Sequence, residues 1–227
     1  MRRRCLNFAA VAIGIVLLPA TQSGCGGGKS TTTPTSGLEQ RVFVAVQNSS
    51  INRLEMADAK KDQLTATTVS LGGSAPSLMI PGANSTTIVF DSGDNTVSVV
   101  DNIKESLATS ETTCTSGVNC IPSLPAPTES MAASSDGKFV YAAIQTTSQV
   151  SVLALTAGPP ITVTNIPATP ANCSTTKNCL PGAHRVVLSH NSAKLLVFNE
   201  GLNQFEVINT SDNSVQTVTG TGLDHPG

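Results

Sequence analysis

The chain has 227 residues, with 13 Lys plus Arg against 15 Asp plus Glu, a formal net charge of −2 and only 12% charged residues. That balance excludes a nucleic-acid binder working by displacement of counterions from phosphate, which needs a cationic stripe. With 3% aromatic residues and no tryptophan, and with Ser, Thr, Gly, Pro and Val abundant, the composition favours short strands and turns.

In chain order, Arg2, Arg3 and Arg4 form a basic start, followed over residues 8–20 by an apolar run too short to span a bilayer. Residues 1–25 therefore read as an export signal. Gln22-Ser23-Gly24-Cys25 resembles a bacterial lipobox, whose cysteine is acylated and becomes the new N-terminus. Gln22 stands where an aliphatic residue is usual, and an ordinary secretory signal cut nearby is the alternative. Either route exports the protein, and the lipobox predicts a membrane anchor at Cys25 facing the periplasm or cell surface. Removal of residues 1–24 takes three arginines, leaving ten basic residues against 15 acidic ones, a net charge of −5.

Residues 26–40 read as a flexible Gly/Ser/Thr tether. Gly28-Lys29-Ser30 has the ending of a phosphate-binding loop, but Ser23 occupies the place of its first glycine and no strand precedes it. Residues 53–62 carry charged clusters without an apolar stripe and are expected to form a turn.

From Arg41 onward, apolar runs alternate with polar turns in four units. Unit one pairs Val42–Val46 with Ile51–Leu54, and unit two pairs Ile88–Phe90 with Thr96–Asp101. Unit three pairs Phe139–Ala143 with Gln149–Leu153, and unit four Leu195–Asn199 with Gln204–Asn209. Ile51, Val97, Val150 and Phe205, taken as equivalent, recur at 46, 53 and 55 residues. A third strand follows each pair, at 64–71, 106–110, 161–166 and 215–218. A further strand precedes it in units two to four, at 77–80, 130–133 and 185–188. Ser134-Ser135-Asp136-Gly137 and Ser189-His190-Asn191-Ser192 supply residues that tolerate the left-handed backbone of tight hairpins.

These units resemble YVTN-type β-propeller repeats of the surface-layer and lactonase-like group. Residues 134–142 match its S-x-D-G-K turn and following strand, and residues 95–101 its V-S-V-[IV]-D strand. The resemblance covers residues 41–227. It implies an all-β partial propeller of about four four-stranded antiparallel blades, an incomplete version of a seven-bladed ring, which needs on the order of 350 residues. The remaining blades would come from a longer chain or a second copy. A closed four-bladed ring and a β-sandwich are the alternatives.

Of six cysteines, Cys5 leaves with the leader and Cys25 is the acylation candidate. Cys114–Cys120 and Cys173–Cys179 form two loops 59 residues apart, each expected to close its own disulfide and stiffen an insertion between blades. Pairing across the loops is the other connectivity. A zinc site is disfavoured because five intervening residues exceed the usual two to four.

Glu129, His184, Arg185 and His225 occupy connections leading into innermost strands, where a propeller faces its channel. They are candidate ligand residues, with capping of strand ends as the plainer alternative. His190 falls in a turn. No nucleophile elbow, H-E-x-x-H pair or Ser-His-Asp order is present, and the sequence implies no cofactor or metal. The expected function is an exported, lipid-anchored scaffold for an envelope protein or polysaccharide. The alternatives are a lactonase-like hydrolase fragment acting on a small lactone or sugar acid, and a non-functional fragment.

Overall fold

The computed structural model describes residues 15–16, 34–48, 50–108, 122–155, 161–166, 180, 182–199 and 204–218. Among them every regular element is a β-strand, and the strands form four antiparallel four-stranded meanders. Blade one comprises β1 (Ile15–Val16), β2 (Arg41–Ala45), β3 (Arg53–Asp58) and β4 (Gln63–Ser70). Blade two comprises β5 (Pro76–Pro81), β6 (Thr86–Asp91), β7 (Thr96–Asp101) and β8 (Ser106–Leu107). Blade three comprises β9 (Met131–Ala133), β10 (Phe139–Ile144), β11 (Gln149–Ala154) and β12 (Thr162–Ile166). Blade four comprises β13 (Ala183–Leu188), β14 (Lys194–Asn199), β15 (Gln204–Asn209) and β16 (Ser214–Val218).

The blades stack face to face, and each interface is an apolar core. Phe43, Leu54 and Met56 of blade one meet Val89 and Val100 of blade two. Phe90, Val97 and Val99 meet Val140, Ala142 and Leu153 of blade three, and Tyr141, Val150 and Val152 meet Val186, Val197 and Ile208 of blade four. Blades two and three are therefore covered on both faces. That is why β7 and β11 are buried at five consecutive residues while β3, covered on one face, alternates.

Among the described residues, eight hairpins turn on the left-handed region: at Asn84 with Ser85, at Gly137 and at Ser192 between first and second strands, at Asn95 and Ser148 between second and third, and at Asp62, Glu105 and Asn213 between third and fourth. The two turns singled out from sequence share one hydrogen-bond scheme. Ser134 Oγ donates to Asp136 Oδ1 (2.7 Å) and accepts from Phe139 N (2.9 Å). Ser189 Oγ likewise donates to Asn191 Oδ1 (2.8 Å) and accepts from Lys194 N (3.0 Å).

Four expectations change. Residues 53–58 are a strand, because Leu54 and Met56 are fully buried on the core side of blade one; only residues 59–62 turn. The residue equivalent to Val97 is consequently Leu54, not Ile51, since Ala45 pairs with Leu54 as Phe90 pairs with Val97. The end of the expected tether is docked: Thr35 N donates to Ile103 O (3.0 Å), Ser36 Oγ to Glu105 Oε1 (2.6 Å), and Leu38 packs on the first core.

The fourth change concerns the first cysteine loop. Ala108 N donates to Val99 O (2.7 Å), Val97 N donates to Pro122 O (2.9 Å), and Thr96 bridges Ser123. The outer strand of blade two thus leaves its ladder after Ala108 and rejoins it at Pro122, so Cys114 and Cys120 belong to an excursion within a blade. In blade three the outer strand runs uninterrupted to Ile166 before Cys173. The two loops sit at different ladder positions, and their 59-residue spacing is not a blade period. The four cysteines themselves, with Cys5 and Cys25, lie outside the described residues.

Ile15 and Val16, inside the segment expected to be an export signal, pair with Val44 and Phe43 as the innermost strand of blade one. Removal of an export signal would leave that edge of β2 open.

Candidate functional site

The innermost strands all begin at one end of the arc, where the previous blade hands over its chain. Phe90, Ala143 and Phe198 are equivalent second-strand positions, since they pair with Val97, Val150 and Phe205. Their partners on the innermost strands are Leu78, Ser130 and Arg185. One residue earlier stand Ser77, Glu129 and His184. At Ser77 and His184 the ladder slips by one residue, the signature of a bulge that re-aims a side chain.

Glu129 and His184 therefore occupy the same place in consecutive blades, and His184 Nδ1 lies 3.6 Å from Glu129 Oε2. One hydrogen bond ties the two connections together and a second anchors the first connection within blade three. Ser130 Oγ accepts from Val186 N (3.0 Å), and Thr128 Oγ1 donates to Ala143 O (2.6 Å). Glu129 is largely exposed and His184 is 30% exposed, so the pair meets solvent. Arg185 is exposed. His190 lies in a first-to-second-strand turn at the opposite end, and His225 is outside the described residues. The pair can accept hydrogen bonds from a ligand and donate them to it. Among the described residues, no group of three or more His, Cys, Asp and Glu could hold a metal ion.

Sequence reasoning passed over Asp91, reading it only as the start of a turn. It closes β6 at this same end, opposite Thr96 and Pro76, and is fully buried. Burial pushes its carboxyl up to about 7, with the Asp94 charge adding to the rise and hydrogen bonds from Ser98 and Gly73 opposing it. Ser98 Oγ donates to Asp91 Oδ2 (2.8 Å), while Oδ1 is buried without a hydrogen-bond partner. The available signal was an acidic residue ending an apolar strand whose counterpart in blade three is Ile144.

Two open clefts lie at the opposite end, between hairpin turns of adjacent blades. One of about 310 Å³ is lined by Ser134, Asp136, Tyr141 and Asn191, and one of about 380 Å³ by Asn84, Ser85 and Asn102. Neither touches Glu129 or His184.

Radially stacked four-stranded meanders with their innermost strands adjacent define a partial β-propeller. Solved structures agree. The chain is similar to streptogramin B lyase at 16% identity over 85% of this chain and 54% of that one (TM-score 0.54). It is similar to Kuenenia stuttgartiensis hydrazine synthase at 16% identity, over 82% and 48% (TM-score 0.52), and to a candidate 6-phosphogluconolactonase from Bacteroides fragilis at 13% identity, over 82% and 52% (TM-score 0.52). At such identities the likeness establishes the fold alone. The chain spans about half the length of these proteins. No protein-family model and no curated protein sequence matches it.

Proposed function

We propose that this is an exported propeller scaffold, lipid-anchored through Cys25, that binds an envelope polysaccharide or protein at the end carrying Glu129 and His184. One observation carries the reading: consecutive blades present an acid and an imidazole from equivalent positions at the start of their innermost strands, 3.6 Å apart and open to solvent. A carboxylate beside a histidine suits hydroxyl and amide groups, which offer both donors and acceptors.

The test is a glycan array of bacterial envelope polysaccharides, run with the exported protein and its Glu129→Ala and His184→Ala variants. Binding weakened at least tenfold in both variants is expected. Absence of any glycan or envelope-protein ligand, or binding indifferent to both substitutions, overturns the reading. Metabolic labelling with a fatty acid tests the anchor: label is expected on the wild type and absent from Cys25→Ser.

A lactonase-like hydrolase is the second reading. It is favoured by a carboxylate and an imidazole standing side by side at a solvent-open position and by the fold shared with the candidate 6-phosphogluconolactonase. Turnover of sugar-acid lactones that disappears in His184→Ala would replace the binding reading with this one.

A further inference from the structure

The two terminal faces of the arc differ from every other face of the blades, because among the described residues no further strand packs on them. In blade three, Tyr141 pairs with Val152 and Ala143 with Val150, all at most 6% exposed against blade four. The same ladder positions in blade four are Leu196 with Val207 and Phe198 with Phe205, and these are only partly covered. Beside them Val187 is 45% exposed. The free face thus repeats the apolar pattern that the inner interfaces bury, with larger side chains. At the other end, Val44 and Ala57 hold the positions that Val89 and Val100 fill, fully buried, in blade two. They are partly exposed, and Leu64 next to Ala57 is 69% exposed.

From these two faces we infer that a second copy of this chain closes the ring, blade four of each copy packing on blade one of the other around a twofold axis. The contact continues the blade-to-blade stacking already present three times in the fold. Each copy holds four blades, so two copies make a ring of eight, within the usual range for a propeller. A head-to-tail contact either closes or grows without end, and two half-rings satisfy closure. Burying the row from Val187 to Phe205 also removes an apolar patch that a lone arc leaves to solvent.

The full chain, produced with its own leader and solubilised in mild detergent, is measured by multi-detector light scattering, which separates protein mass from detergent. A protein mass of about twice the 23.2 kDa chain, less any leader removed, is expected. Val187→Glu and Leu64→Glu, one on each face and both on exposed positions, are each expected to shift the protein to the single-chain mass with an unchanged far-ultraviolet spectrum. A wild-type protein of single-chain mass at micromolar concentration overturns the inference. So does a series of growing masses, or a pair that survives both substitutions. No ligand enters the measurement, so its outcome is independent of the glycan experiment.

Discussion

Arg41 Nε stands 3.2 Å from Glu105 Oε1, and both side chains are sealed from solvent, at 7% and 2% exposure. The pair joins the first strand of blade one proper to the last hairpin of blade two. Its alignment is imperfect, since Arg41 Nε makes no hydrogen bond; other guanidinium nitrogens donate to Leu38 O and Asn102 O. Ser36 supplies the aligned bonds to Glu105, through N at 2.5 Å and Oγ at 2.6 Å. Burial lowers the Arg41 pKa, and the Glu105 charge opposes that shift.

Removing one partner strands the other charge in the interior. Glu105→Ala is expected to lose about 3 to 5 kcal/mol of stability, and the double variant Arg41→Met/Glu105→Leu distinctly less, because no lone charge remains. Chemical denaturation of both variants decides this. Equal losses would show that the pair is not coupled.

Asp91 sets a pH dependence of opposite sign to that of an ordinary paired carboxylate. Its folded pKa of about 7 lies above the ordinary 3.8 of the unfolded chain. Between these values the fold holds a proton that the unfolded chain has released. Stability therefore falls as pH rises from about 4 to about 7, and the cost, at most about 4 kcal/mol, is complete above that window. Asp91→Asn is expected to flatten the melting temperature across pH 4 to 8 and raise it at neutral pH. A wild-type profile that climbs over this range would refute the assignment.

Gly73 lies where the chain passes from blade one to blade two. A Cβ there would stand 2.0 Å from Thr96 Oγ1 and 2.5 Å from Asp91 Cβ. Gly73→Ala is expected to cost about 2 to 3 kcal/mol through overpacking. Gly37, at φ +72° with open space around it, is expected to lose about 1 kcal/mol on the same substitution, from backbone strain alone. Paired thermal melts distinguish the two causes.

The two ends of the first cysteine excursion, Ala108 and Pro122, bond to Val99 and Val97 of a single strand. The expected disulfide Cys114–Cys120 would staple a segment whose ends the sheet already holds. Reduction is expected to cost no more than roughly 2 kcal/mol and to leave the blade intact. Non-reducing peptide mapping checks the connectivity; a Cys114–Cys173 link would overturn it.

The strand pairs, hairpin turns and four-unit repeat were legible in the residues because each is decided within about ten positions of chain. Apolar alternation sets a strand, and Asn, Asp, Ser or Gly sets the left-handed turn. The error at residues 53–58 has the same origin. Arg53, Glu55 and Asp58 obscure a strand whose buried half, Leu54 and Met56, is recognised only against the blade it packs on. Glu129 and His184 could be named individually, as residues entering innermost strands, but their shared ladder position depends on a bulge in one blade meeting the next.

By itself, then, the sequence determined the blade: its strands, its turns and its recurrence, all products of local backbone preference. Tertiary structure alone decided which polar groups meet. Ser36 and Glu105 are 69 residues apart along the chain, and Asp91 is an unremarkable turn residue until blade one covers it. Burial, charge pairing and the two unfilled terminal faces arise when blades stack, and no single blade carries that information.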